Sequence, residues 1–179
     1  VLHHHHLPFG PYWDLIREAP TLRLAPVEPD PFVAAFRYRD HALIRYRYAH
    51  HADVIRLDAL LAHGGIYVNI DTLFLTPVPP RLLTHPFVIG REDDVDDPRT
   101  GRLRPSLCNA WLAAPAGAPF TRAWRQDLYA AFDGTWSHHG GLLAEDLSRR
   151  HPDQVHIEPQ RTFYRHGFRP AGVRRLLED

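Results

Sequence analysis

The sequence contains no lysine, no methionine, a single cysteine and no surplus of charge. Arginine therefore supplies every cation other than histidine, a bias read here as GC-rich coding, with a bacterial source as the expectation. Its 21 arginines meet 21 acidic residues, for a formal net charge of +0. That balance excludes the strongly basic profile of a general nucleic-acid binder or of a protein drawn to anionic membranes. Cys108 alone can form neither an intrachain disulfide nor a thiolate metal cluster, and a reducing cytoplasm is the compartment expected. No apolar run approaches the roughly 18–20 residues of a membrane-spanning helix, and no signal-peptide pattern is seen. Repeats and long linkers are lacking too, so residues 1–179 are expected to form a single domain. Hydrophobic and charged fractions of 44% and 23% suit an ordinary globular core. A first residue of Val is expected either from a GTG start or from a longer parent protein.

Histidine, by contrast, is abundant. His3 to His6 suggest a metal site, but adjacent residues of a strand point to opposite faces and cannot converge on one ion. A zinc hydrolase would need ligands at helical spacing, such as His-Glu-x-x-His, and the sequence has none. Arg and Tyr interleave from Phe32 to Tyr48, a pattern that can stack on bases and pair with phosphates. Without net positive charge, an irregular connection or short helix is the better expectation there.

The most informative stretch runs from His50 to Pro80. Val54, Leu57, Leu60 and Leu61 recur at helical spacing between His51 and His63 and form one apolar stripe, bordered by Asp53 and Arg56. This reading puts Asp53 in the first helical turn, where exposed N–H groups favour a carboxylate. Gly64 and Gly65 end the helix, and Ile66 to Asp71 alternate as a strand. Period two sets Ile66, Val68 and Ile70 on one face and Tyr67, Asn69 and Asp71 on the other. Asn69 and Asp71, roughly 6.5–7 Å apart along such a strand, could touch different parts of one ligand.

Downstream, Phe87 to Gly90 reads as a strand that runs into Arg91, Glu92, Asp93 and Asp94; these carboxylates could assist a metal, but from Asp93 through Asp97 a solvated loop is the better expectation, and Glu92 is set apart by following directly on the strand end. Leu107 to Ala114 reads as a buried strand with Asn109 in an apolar run, where an amide must find partners or cost a few kcal/mol, about 1–3. It serves either the backbone or a ligand. Cys108 has no base beside it and is not expected to be a nucleophile. Thr121 to Phe132 is an amphipathic helix carrying Trp124, Leu128 and Phe132. Shorter elements are expected at Val1–Leu7, Trp13–Ala19, Leu22–Val27, Leu82–Leu83, Leu142–Arg150 and Val155–Glu158, and Thr162 to Phe168 forms an aromatic end over the core. Strands alternating with helices give an α/β class.

His50/His51, Ala52, Asp53, Arg56, Leu60, His63, Gly64, Gly65, Ile66, Tyr67, Asn69 and Asp71 follow the pattern HxADxxRxxxLxxHGGIYxDxD. The stretch resembles the sugar-binding region containing the DXD motif of family 32 glycosyltransferases, with Asn69 where the first Asp stands. Ser106 to Ala110 with Pro115, Gly117, Pro119 and Phe120, the pair Trp136 and His139, and the Pro-Gly-Pro-Trp turn at Pro8 to Trp13 extend the likeness from Leu2 to about Phe168. The resemblance implies the GT-A fold, a Rossmann-like nucleotide-sugar-binding sheet, here without the strand that relatives carry ahead of Leu2. It also implies a metal-dependent retaining transferase that moves a sugar from a nucleotide sugar, a UDP-sugar first, to an acceptor hydroxyl. Asp71 would be catalytic through a Mn2+ (or Mg2+) ion, with Asn69 beside it and His139 as a further metal ligand or a phosphate contact. Asp53, Arg56, Tyr67, Asn109 and Gly65 would bind the donor. The alternative is a degenerate, non-catalytic nucleotide- or sugar-binding relative.

Overall fold

A computed structural model describes residues 1–178 of the chain. The described residues divide between two compact units, one from Val1 to Arg37 and one from Tyr38 onward. In the first, β1 (Leu2–His4) pairs in parallel with β2 (Leu24–Pro26), and His5 Nδ1 lies 2.8 Å from the Val27 carbonyl oxygen. Between them α1 (Pro11–Ile16) buries none of its residues, and Leu15 and Ile16 are exposed. The helix stops at Ile16 rather than Ala19, since six residues without a packed face gain little from further helix. Helix α2 (Pro31–Ala35) closes the unit, capped by the Asp30 side chain accepting from the Val33 N–H at 2.9 Å.

The second unit opens with a 3-10 helix, His41–Tyr46, and runs directly into α3 (Arg47–His63). The segment left open in sequence, Phe32 to Tyr48, thus resolves into α2, this 3-10 turn and the start of α3. Helix α3 begins four residues earlier than the apolar stripe predicts. His50 and His51 are 1% and 6% exposed, so the stripe continues upstream through buried imidazoles. Asp53 accordingly lies in the second turn, beyond reach of the free N–H groups invoked above.

Gly64 ends α3 with φ 64, and a Cβ there would stand 2.5 Å from the Ala116 nitrogen, so both conformation and space demand glycine. Strand β3 (Gly65–Val68) follows; β4 (Val88–Arg91) comes after a 3-10 turn at Pro80–Thr84. A short antiparallel hairpin pairs β5 (Val95–Asp96) with β6 (Leu103–Arg104). Asp97 is buried beside that hairpin and is held by Arg104 at 3.2 Å and by the Arg99 N–H at 2.8 Å. The acidic run is therefore partly built into structure and not a wholly solvated loop.

Strand β7 (Leu107–Ala114) is the long central strand. Helix α4 (Pro119–Ala131), a π-helical turn at His138–Leu142, α5 (Leu143–Arg150), β8 (His156–Glu158), α6 (Gln160–Phe163) and α7 (Pro170–Glu178) complete the unit. The sheet order is β3-β7-β4-β8, with β3 and β4 antiparallel to β7 and β8 parallel to β4. Strands β3, β4 and β8 therefore point the same way, and their C-terminal ends emerge where β7 begins. Ligands of open α/β sheets bind at such carboxyl ends. Helix α3 packs on α4, and α4 on α5. Leu82, Val88, Trp111 and Ala113 form a buried cluster against which Phe163 and Tyr164 pack, as expected of the aromatic end. The Phe163 and Trp111 rings are 4.2 Å apart.

Candidate active site

At the carboxyl edge β3 stops sooner than its alternation suggests. The Asn69 N–H still reaches the Ala110 carbonyl at 2.9 Å, but the chain then turns, with the Thr72 N–H on the Asn69 carbonyl at 3.1 Å. Since β3 is an edge strand with one neighbour, leaving that neighbour ends the ladder. Asp71 thus stands exposed in a turn rather than on the strand, and Asn69 is half-buried behind it.

Beneath this end lies a buried polar network. Asp53, 7% exposed, accepts at Oδ1 from Asn109 Nδ2 at 2.8 Å and from the Arg56 guanidinium at 2.9 Å. Its Oδ2 receives His139 Nε2 at 2.9 Å. Burial alone would raise the Asp53 pKa, but the Arg56 charge and the His139 contact outweigh it and hold the carboxyl below its usual range. Arg56, 4% exposed, also donates to the Ala52 carbonyl at 3.2 Å and to the Asn109 carbonyl. Asn109 is therefore gripped at both its side chain and its backbone.

Arg56 links this network to the surface. Its guanidinium lies 4.7 Å from the centre of the Tyr67 ring, and the Tyr67 hydroxyl donates to Asn69 Oδ1 at 3.1 Å. Burial foremost raises the Tyr67 pKa, with the Asp53 and Asp71 charges adding to the rise against Arg56. Tyr67 and Asn69 are thus joined at the strand's end, while Asp71 follows in the turn beyond it and not on the strand face that period two suggested.

His139 sits in the π-helical turn, fully buried, and its carbonyl accepts from Trp124 Nε1 at 3.1 Å. Its ring lies 4.7 Å from that of His50 and 4.4 Å from that of Phe132. His50 Nδ1 is 2.7 Å from the Tyr38 hydroxyl. Burial first, and His139 second, lower the His50 pKa to about 4, so this ring is neutral at pH 7.

Six of the eight residues singled out in sequence are therefore joined by contacts, namely Asp53, Arg56, Tyr67, Asn69, Asn109 and His139. Asp71 stands at their exposed margin. Gly65 does not join them: it lies at the opposite end of β3, paired with Ala114, with φ 100. Asp53 and Arg56 are buried with their polar atoms engaged, and His139 commits Nε2 to Asp53. Sequence reasoning missed the part played by His50. His50 and Arg56 each stand three residues from Asp53, so both neighbour it on α3, a signal obscured by starting the helix too late.

Residues 28–89 match the family described as glycosyltransferase sugar-binding region containing DXD motif. Over that stretch the chain is similar to DXD-motif glycosyltransferases. Its mixed α/β layers around a central mixed sheet agree with the GT-A-like fold expected of it. The chain is also similar to Glucan organizing enzyme 1 of Cryptococcus neoformans var. grubii, 34% identical over 163 residues. The alignment takes in 90% of this chain and 42% of the relative, so the chain spans less than half of that fungal protein's length. A fungal relative lends no support to the bacterial source expected from composition. Among the described residues, no helix is long and apolar enough to cross a membrane.

Proposed function

We propose that this DXD-type domain transfers a sugar, with retention at the anomeric carbon, from a nucleotide-sugar donor to a hydroxyl of an acceptor. A UDP-sugar is the first donor to test. The observation that carries the reading is the Arg56–Tyr67–Asn69 bridge, which ties an exposed strand end bearing Asp71 to a rigid buried network holding Asn109. Preorganised polar groups at a sheet's carboxyl edge suit the recognition of a phosphorylated sugar.

The residues fit a divalent cation of a particular kind. Among the described residues, no three His, Cys, Asp or Glu side chains converge to hold an ion by themselves. Mg2+ sites of phosphate-handling enzymes commonly use one or two carboxylates, with substrate phosphates supplying the remaining oxygens. An exposed Asp71 with the Asn69 amide oxygen nearby matches that chemistry for Mn2+ or Mg2+. These two residues would hold the ion, which when bound would offset charge on the departing diphosphate. His139, with Nε2 taken by Asp53, supports this site from below. In this reading Asn109 and Tyr67 face the donor, while Asp53 and Arg56 hold both in place; Gly65 fixes where β3 begins.

The decisive experiment is thermal unfolding with UDP, GDP, UDP-glucose and GDP-mannose, each with and without MnCl2. A rise in Tm that needs both nucleotide and metal supports the reading, and an unchanged Tm with every combination refutes it. A non-catalytic binding relative is the second reading, favoured by Asn69, whose amide has one charge fewer than Asp and already accepts from Tyr67. Nucleotide-dependent stabilisation without turnover of any of these donors would select it.

A further inference from the structure

The buried acids among the described residues, Asp53, Asp97, Glu145 and Glu158, each pair with an arginine or histidine. Glu92, half-buried at the C-terminal end of β4, has no such partner among the described residues. Its Oε1 accepts from the Ser106 hydroxyl at 2.6 Å, and the Cys108 thiol also lies in hydrogen-bonding contact with the carboxyl. A carboxylate offers about four lone-pair sites, so this one keeps acceptor capacity that no cation takes up.

Two glycines let a buried turn pack closely beside this carboxylate. A Cβ on Gly141 would stand 2.4 Å from Ser106 Oγ, 2.3 Å from the Leu107 carbonyl and 3.1 Å from Glu92 Oε1. A Cβ on Gly140 would stand 3.2 Å from Asn109 Nδ2. Glu92 and Asn109 thus flank two consecutive glycines. With neighbouring Cα atoms 3.8 Å apart, the carboxyl and the amide are separated by no more than about 13 Å. Both lie on the edge where β3, β4 and β8 end and β7 begins.

We propose that Glu92 is a hydroxyl-binding residue of this site, accepting a hydrogen bond from a hydroxyl of the transferred sugar across the Gly140–Gly141 turn from Asn109. The inference rests on the nucleotide-sugar reading above and specifies it further. Sugar hydroxyls are neutral donors, which is what a carboxylate without a cation can use. Burial, the largest influence, raises the Glu92 pKa against the opposing Ser106 and Cys108 contacts. The free protein therefore bears a cost at this position that a bound hydroxyl would relieve, a pattern typical of binding sites.

The test is titration calorimetry of the full chain in MnCl2 with UDP, UDP-glucose, GDP and GDP-mannose, comparing the wild type with Glu92→Gln and Glu92→Ala. The wild type is expected to prefer a nucleotide sugar over its bare nucleotide. Both variants should lose that preference, with nucleotide-sugar affinity falling about tenfold or more and affinity for the bare nucleotide unchanged. Glu92→Gln, which keeps the Ser106 contact, should also unfold at an equal or higher temperature at pH 7, separating lost binding from lost fold. Wild-type preference retained by both variants overturns this proposal alone. A wild type that binds none of the four ligands overturns the nucleotide-sugar reading, and this proposal with it.

Discussion

His139 Nε2 and Asp53 Oδ2 lie 2.9 Å apart in the protein interior, bridging 86 residues of sequence. The bond joins the π-helical turn to α3, and through Asp53 it also steadies Asn109 and Arg56. His139→Ala removes one partner and leaves a carboxylate oxygen buried and unsatisfied. The loss should be about 2–4 kcal/mol of stability, measured by urea unfolding. A change below about 0.5 kcal/mol would show that the contact does not hold the network together.

Asp71 offers the opposite behaviour. It is exposed and, among the described residues, forms no ion pair, so Asp71→Asn should leave the unfolding midpoint of the free protein within about 0.5 kcal/mol of wild type. Any stabilisation by UDP with MnCl2 should disappear. Retention of the metal-dependent shift would remove Asp71 from the proposed site.

Glu158 ties β8 to the turn before β4. Arg81 at 2.7 Å is the chief cause, and His156 and Thr162 contribute, in holding its carboxyl down from 4.5 to about 2. A depressed carboxyl stabilises the fold above its unfolded pKa and loses that contribution as pH falls towards its folded pKa. Glu158→Gln should therefore lower Tm at pH 6, with the deficit shrinking between pH 4.5 and about 2. A deficit that stayed constant with pH would mean that packing, not charge, is what the glutamate supplies.

The His50 ring titrates in another window. Its pKa falls from 6.5 to about 4, so the neutral ring favours the fold above pH 6.5 and the advantage is lost as pH drops towards 4. Burial foremost and then His139 lower it, while Asp53 and Asp133 oppose the shift. An NMR titration of the imidazole provides the check, and a midpoint near 6.5 would place the ring in water.

Burial foremost, aided by the Glu92 charge, pushes the Cys108 thiol up to about 12. The native protein should resist iodoacetamide at pH 8 and react rapidly once unfolded in urea. Fast modification of the folded chain would contradict the buried setting.

Local pattern carried much of this fold. The α3–glycine–β3 sequence, the central strand from Leu107 to Ala114 and the apolar face of Trp124, Leu128 and Phe132 were legible because each depends on spacing within a few residues. The end of β3 was not, since it is set by where the partner strand diverges. The burial of Asp53 and Arg56 was equally hidden: the groups that accommodate their charges, Asn109 and His139, come from distant segments. Glu92 could be marked as a strand-end acid, but its lack of a cation emerges only when every neighbouring element is in place.

Those long spans also govern how the site comes into being. Bonds closing intervals of 53, 56 and 86 residues draw Arg56, Asp53, Asn109 and His139 together. Contacts of such sequence separation must overcome loop-closure entropy before they gain anything, which slows folding. Ligand recognition should consequently appear late during refolding, in step with the docking of the His138–Leu142 turn. A fluorescent donor analogue would then report completion of the tertiary structure rather than formation of any single helix or hairpin.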